Sequence, residues 1–337
     1  MRAAYVKAPF QFEVRDVPLR PITEDEILLR VSACGVCGTD MTTAASEAKD
    51  WQPFGHEIAG MVEQAGVRVS TVRPGDSVVL ESGTFCRSCD DCRNGRVDLC
   101  NKGPNYWLKG PMGFSQYIIA PKEMAVPFRG ISPEVATLVE PLGVAIDMVK
   151  TVDIALGDEV LVVGIGPIGL MAVALARIQG AARVYAASHS RSAHRIELAK
   201  RFGAEEIILS DREDLGAHHF PRGGVDRVLV TAPPAALPQA MQAARVGGVI
   251  TFIGIEYGPR GTVSFDANAF HFKKLQLRAS FAAPALYFPM ALKLLEAGRI
   301  DGESLISHRF PIQDIAKGFA QLRDQKDQAA KGVMVNG

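Results

Sequence analysis

The segment DEVLVVGIGPIGLMAVALARIQGA, Asp158 to Ala181, decides the fold. An apolar run reaches Gly164 and a helical run begins after Gly166, with Gly164, Gly166 and Gly169 spaced G-x-G-x-x-G across the junction. Strand, glycine turn and helix in that order form a dinucleotide-binding fingerprint, in which the helix start receives a pyrophosphate. Pro167 and Ile168 fill the turn between the glycines, and all five are candidate cofactor contacts.

Downstream of the turn, strand and helix patterns alternate: RVYAAS, SAHRIELAKRFGA, EIILS, VDRVLVTA, AALPQAMQAARVGG and VITFIGI. Such alternation predicts a doubly wound parallel sheet with covering helices over residues 151–285, a Rossmann domain. Upstream the pattern is short strands, EILLRVSA, EIAGMVEQAG, DSVVLES and FSQYIIAP, separated by turns such as RPGD at Arg73 to Asp76. The chain up to about residue 130 therefore reads as a β-rich domain. The remainder, 286–337, holds the amphipathic LYFPMALKLLEAGRI, a second helix IQDIAKGFAQLRDQ and a strand KGVMVNG, and is expected to return to the first domain.

A chain of 337 residues exceeds what one core usually supports, in keeping with a two-domain α/β protein. Lys plus Arg equals Asp plus Glu at 37 each, so charge gives no ground for a nucleic acid or anionic membrane partner, and a small molecule is expected. The uncharged run Val160 to Ala176 is broken by three glycines and a proline, and reads as buried strand plus helix rather than a membrane span. MRAAYVKAPFQFEV shows no apolar leader, so cytoplasmic residence is expected.

Four of six cysteines, Cys86, Cys89, Cys92 and Cys100, follow C-x2-C-x2-C-x7-C in CRSCDDCRNGRVDLC. Four thiolates at this spacing suit tetrahedral zinc with no open position, a structural site in a lobe at about 86–100. A zinc finger on DNA would need a basic helix that is missing here. A second group is scattered: Cys37, Thr39 and Asp40 in SACGVCGTD, His56 and Glu57 in FGHEIAG, and Glu140 in LVEPLGVAIDMV. Read singly, each is an ordinary buried thiol, a satisfied histidine or a helix-start acid.

Together, CGVCGTD, GHE, the four-cysteine lobe, EPL and GxGPIG, in this order, resemble the zinc-dependent medium-chain dehydrogenases, and within them the polyol (sorbitol-type) branch, over essentially the whole chain. The resemblance implies a GroES-like catalytic domain, 1–150 with 286–337, and a Rossmann domain between. It further implies that Cys37, His56 and Glu57 hold a catalytic zinc, with Glu140 near the metal directly or through water, giving two zinc ions per chain. Two or three protein ligands and an open position let zinc act as Lewis acid on a substrate oxygen while hydride moves between carbinol carbon and nicotinamide. Thr39 is placed to hydrogen-bond that oxygen and pass its proton outward.

The chain departs from the family pattern at Thr42, where many relatives carry a relay histidine, and at Ala283 and Pro284, where sorbitol-type members carry Arg-Tyr. The loop MTTAASEAKDWQPF, between Cys37 and His56, is shorter than usual. The expected substrate is a polyol or its ketose; the alternatives are a zinc reductase of aldehydes or simple alcohols, and a non-enzymatic protein on the same scaffold. A homodimer or homotetramer is expected, with GTVSFD as a pairing edge strand. His218 and His219 read as solvated, and His271 and His308 have no assigned role.

One residue type is missing. NAD-binding Rossmann units carry an acid about 20 residues beyond the glycines to accept from the ribose 2′-hydroxyl. Ser190 stands where the family pattern puts that acid, Arg191 follows, and Arg195 lies one helical turn on, with Ser188, His189 and His194 as further donors. Arginine's planar fork suits a phosphate, so NADP(H) is expected over NAD(H).

Overall fold

The computed structural model describes residues 1–336. It divides into two compact units, one built from Met1–Gly143, Ala282–Gln325 and residues 331–336, the other from Val144–Phe281 and Lys326–Ala330.

The second unit is a six-stranded sheet in the spatial order Glu206–Leu209, Arg183–Ser188, Glu159–Val163, Val225–Val230, Ala244–Phe252, Gln276–Ala279. Every neighbouring pair is parallel, and in chain order the arrangement is 3-2-1-4-5-6. Parallel sheets are covered on both faces, which is why the central strands read as unbroken apolar runs: Val160, Leu161, Val162, Val228 and Leu229 are fully buried. The helix Pro167–Gln179 is buried from Gly169 through Ala176 and stops at Gly180, whose φ of +104° closes its end. The longest uncharged run is therefore core. Among the described residues, no helix is long and apolar enough to cross a membrane.

In the first unit a larger sheet runs Ile306–Phe310, Lys331–Val335, Glu26–Gly35, Glu57–Ala65, Ser77–Leu80, Ala125–Pro127, with Tyr117–Pro121 also on Glu26–Gly35. A three-stranded sheet joins Gln11–Asp16, Arg2–Lys7 and Gln52–Pro53. The tail strand lies antiparallel on Glu26–Gly35, pairing Met334 with Cys34 and Val333 with Gly35. It is anchored by the helix Ile315–Asp324, whose buried Phe319 meets Phe54 edge-on at 5.6 Å and Phe114 at 5.8 Å. Truncating such a ring costs about 3–5 kcal/mol, so this cluster holds the tail on the sheet.

Three local expectations change. Thr262 to Asp266 is not a strand: Asp266 caps the helix Ala267–Phe272 by accepting from the amides of Asn268 and Ala269. The sheet edge is Gln276–Ala279 instead. The segment after Cys37 is helical rather than loop, Gly38–Thr42 continuing into a wider turn Thr43–Glu47, because Ala44 and Ala48 are buried. His218 is half-buried rather than solvated, held 3.1 Å from Glu206 and 3.3 Å from Glu213 with its ring edge-on to Phe220 at 4.7 Å.

Candidate metal centres and nucleotide turn

Cys86, Cys89, Cys92 and Cys100 bring their sulfurs within 4.8 Å of one another. The Cys86 and Cys92 sulfurs are 4.0 Å apart, near the ~3.8 Å edge of a tetrahedron with zinc–sulfur bonds of ~2.3 Å. The helix Asp90–Arg93 places Cys89 at its cap and Cys92 inside, and the turn Val97–Leu99 delivers Cys100. Amides of Cys89 and Cys86 donate to the sulfurs of Cys86 and Cys100 at 3.3 and 3.2 Å. Hydrogen bonds from Ser88 and the Cys89 amide hold the Cys86 thiol down at about 5, whereas desolvation and adjacent sulfurs push Cys92 up to about 12. Thiols this close cannot all ionise without a cation, and a dication removes the conflict. The donor set fits a closed, structural zinc.

The second cluster grows from two strand ends. Glu26–Gly35 runs out into Cys37, the cap of Gly38–Thr42, and His56 leads into Glu57–Ala65. Buried Asp40 ties the two together: its carboxylate accepts from the Cys37 amide at 2.9 Å and the Gly55 amide at 3.2 Å, and lies 3.9 Å from His56 Nδ1. One ligand atom each from Cys37, His56 and Glu57 then falls within 4.8 Å of the others. Glu140, in the first turn of Val139–Val152, does not belong to that tight set. Burial pushes its carboxyl up to about 7, against the opposing pull of His56. Thr39 is exposed, with its hydroxyl 3.7 Å from the Cys37 sulfur.

Two observations test this cluster for a metal. Burial alone drives His56 toward neutrality, yet Cys37, Asp40 and Glu140 outweigh it and its net shift is upward, a measure of the negative charge gathered there. Glu57 is fully buried, and among the described residues neither of its carboxylate oxygens has a hydrogen bond of normal geometry and its one cation is the buried Lys331, which also donates to the Val36 carbonyl at 2.9 Å. Gly35 makes room for that carboxylate, since a Cβ there would stand 2.0 Å from Glu57 Oε2. A sulfur, nitrogen and oxygen donor set with excess negative charge fits zinc. Tyr106 donates to the His56 carbonyl at 3.2 Å, and the Trp107 ring lies 5.1 Å from the imidazole.

In the other unit the three fingerprint glycines are required for separate reasons. Gly164 has φ +93°, and a Cβ there would sit 2.8 Å from the Ala232 amide. Gly169 packs helix on strand so closely that a Cβ would lie 2.0 Å from the Gly164 carbonyl oxygen, which also accepts from Thr231 at 2.6 Å. Gly166 faces open space at the cap of Pro167–Gln179, which leaves its backbone approachable by a phosphate. Pro167 takes the first helical position and Ile168 is half-buried behind it. The strand ends at buried Ser188, and Ser190 sits in the turn beyond. Both donors of Ser190 bind Asp211: the amide to Oδ1 at 2.7 Å, the hydroxyl to Oδ2 at 2.6 Å. Arg191 is exposed, without an ion pair or side-chain hydrogen bond among the described residues. Arg195 is not similarly free: its Nε donates to the Ala329 carbonyl at 2.7 Å.

Residues 23–130 match the alcohol dehydrogenase GroES-like domain and residues 167–297 the zinc-binding dehydrogenase domain. The chain is 31% identical to an L-threonine 3-dehydrogenase of Bacillus velezensis, covering 97% of this chain and 96% of that protein. It belongs to the zinc-dependent medium-chain dehydrogenase family. This dehydrogenase is also 29% identical to D-arabinitol dehydrogenase 1 of Uromyces fabae, over 97% of the chain and 95% of the relative. A structure from Sinorhizobium meliloti 1021, described as a zinc-binding dehydrogenase bound to NADP, superposes with a TM-score of 0.88 at 27% identity, covering 99% of both chains. The protein is thus an oxidoreductase of alcohol dehydrogenase type, acting on small-molecule alcohols, with a GroES-like domain and a Rossmann domain.

The sequence groups Asp40 with Cys37 and Thr39 without giving it a role; an acid three residues after Cys37 at a helix start has the spacing of a capping acid, and that is its signal. Two further residues at the candidate sites, Lys331 and Asp211, escaped sequence reasoning for want of such a signal. Lys331 carried none, because a lysine opening the last strand is ordinarily solvated, and only the antiparallel register beside Gly35 carries it to Glu57. Asp211 is likewise silent: it reaches Ser190 only because Glu206–Leu209 pairs in parallel with Arg183–Ser188.

Proposed function

We propose that this dehydrogenase is an NADP(H)-dependent enzyme that interconverts a polyol and its ketose, with one catalytic and one structural zinc in each chain. The observation that carries the proposal is the convergence of Cys37, His56 and Glu57 beside the exposed hydroxyl of Thr39. When bound, zinc supplies a Lewis acid to the substrate oxygen and the dinucleotide supplies or accepts the hydride. Cys37, His56 and Glu57 would hold the metal, with Glu140 close by, directly or through water. Asp40 fixes the Cys37 turn against His56, and Lys331 restrains Glu57. The Thr39 hydroxyl hydrogen-bonds the substrate oxygen and conducts its proton to solvent, standing at the surface with no histidine at position 42 to assist.

Preference for NADP(H) is supported by the Ser190 turn, whose amide and hydroxyl already hold a pair of anionic oxygens with unpartnered Arg191 alongside. Gly164, Gly166, Pro167, Ile168 and Gly169 take the pyrophosphate; Arg195, tied to Ala329, contributes charge rather than a full fork. The polyol class is supported by the acid Glu140 beside the metal cluster and by the likeness to an arabinitol dehydrogenase. A 3-hydroxy amino acid is the second reading, favoured by the 31% identity to a threonine dehydrogenase.

The quaternary proposal is a homodimer formed at the edge strand Gln276–Ala279. That edge is paired on one side only, and exposed Ile255, Tyr257, Phe265, Phe272 and Phe281 crowd the segments before and after it. Nicotinamide absorbance with a panel of polyols, ketoses, threonine, aldehydes and simple alcohols, each with NADP(H) and NAD(H), tests the whole. Turnover of polyols with NADP+ is expected. Turnover of threonine alone favours the second reading, and aldehyde turnover without polyol turnover refutes the polyol class.

A further inference from the structure

The acid that the fingerprint lacks is supplied from elsewhere in the fold. Asp211 lies just beyond Glu206–Leu209, the strand whose Leu209 is in register with Ser188, and its two carboxylate oxygens take both donors of Ser190. The contact is exposed to solvent, and no arginine or lysine pairs with Asp211 among the described residues. A carboxylate bound by an amide and a hydroxyl mimics what those donors offer a phosphate: two hydrogen bonds to anionic oxygens.

We infer that Asp211 competes internally for the 2′-phosphate site, occupying the Ser190 donors in the nucleotide-free protein and setting the margin by which NADP(H) is preferred over NAD(H). The inference rests on the NADP(H) reading and adds a residue to it. A 2′-phosphate taken up by Ser190 and Arg191 must displace the carboxylate from both donors and then stand against a like charge. The carboxyl is held at about 2, chiefly by the Ser190 hydroxyl and then its amide, so it is ionised throughout the neutral range and the competition does not fade near pH 7. NADH carries no 2′-phosphate, and its ribose hydroxyl can donate to the carboxylate, so the competition falls on NADPH alone.

The test is equilibrium binding of NADPH and NADH, and of adenosine 2′,5′-bisphosphate against adenosine 5′-monophosphate, to the zinc-loaded wild type and to Asp211→Asn, Asp211→Ala and Arg191→Ala. Titration calorimetry reads binding without turnover, and thermal melting verifies that each variant is folded. Removing one like charge and freeing two donors is expected to tighten NADPH and the bisphosphate about tenfold, ~1.4 kcal/mol, in both Asp211 variants. NADH and the monophosphate should bind no tighter, and Arg191→Ala should weaken NADPH. Unchanged or weaker NADPH binding in folded Asp211 variants, with wild type still preferring NADPH through Arg191, would overturn the inference alone and make Asp211 a brace for the turn. Equal wild-type affinity for NADPH and NADH, insensitive to Arg191→Ala, would overturn the NADP(H) reading and the inference with it.

Discussion

Replacing Lys331 by Met separates the lysine that Glu57 pairs with from the metal that Glu57 is proposed to hold. Lys331 is buried and its partner carboxylate is fully buried, with no other cation and no normal hydrogen-bond donor among the described residues. Methionine keeps most of the volume and flexibility of the lysine stem, so the change is chiefly electrostatic. Breaking a buried pair from one side costs about 3–5 kcal/mol, because the remaining charge keeps its desolvation penalty. For a domain of this size that is a fall in Tm on the order of 10 °C. The full loss is expected in chelator-treated protein and a much smaller one with zinc bound, since a dication also neutralises Glu57. The Lys331→Met variant should therefore gain more from zinc than wild type does. Calorimetric melting of both proteins, with and without zinc, measures the difference, and the structural site cancels because both proteins carry it. The double variant Lys331→Met, Glu57→Gln should recover most of the metal-free loss. Equal metal-free melting of wild type and Lys331→Met, or a double variant that loses the sum of the single effects, would refute the account of Glu57.

Metal analysis should return two zinc ions per chain in wild type and one in Cys37→Ser, which keeps its fold but loses turnover; Cys100→Ser should instead lower stability, because a closed site couples metal binding to local folding. Thr39→Val should lower kcat by ~10² to 10⁴ with little change in nucleotide Kd, the size of general acid–base help, and an unchanged kcat would return Thr39 to the surface. Glu81, 7% exposed at the end of the strand Ser77–Leu80, has its carboxyl pushed up to about 7 by burial, against weaker pulls from Thr84 and Arg87. Its folded pKa lies above the unfolded one, so the folded state binds the proton more tightly. Its favourable contribution is complete below about 4.5 and is lost as pH rises to about 7, a change of ~3 kcal/mol. Melting against pH should show Glu81→Gln losing less stability than wild type across that window.

Glycines, cysteines and periodicity made the two architectures legible from the chain alone. The spacing of Gly164, Gly166 and Gly169 is a backbone requirement, and C-x2-C-x2-C-x7-C gathers four sulfurs within one short loop, so both are written locally. Apolar runs of strand length alternating with helices imposed the parallel sheet for the same reason, since a strand buried on both faces can carry little else. What the chain did not disclose were contacts between residues brought side by side by strand pairing. Lys331 reaches Glu57 across nearly the full length of the sequence because the tail strand lies beside Glu26–Gly35. Asp211 reaches Ser190 because two strands run parallel with their ends level, so an acid that the sequence lacks at one strand end is delivered by the next. The edge strand fell at Gln276–Ala279 rather than at GTVSFD because Asp266 satisfies helix-start amides in preference to leaving that segment extended. Local geometry is fixed by residue type at fixed spacing; which charge meets which is fixed by register, and register is a property of the folded sheet.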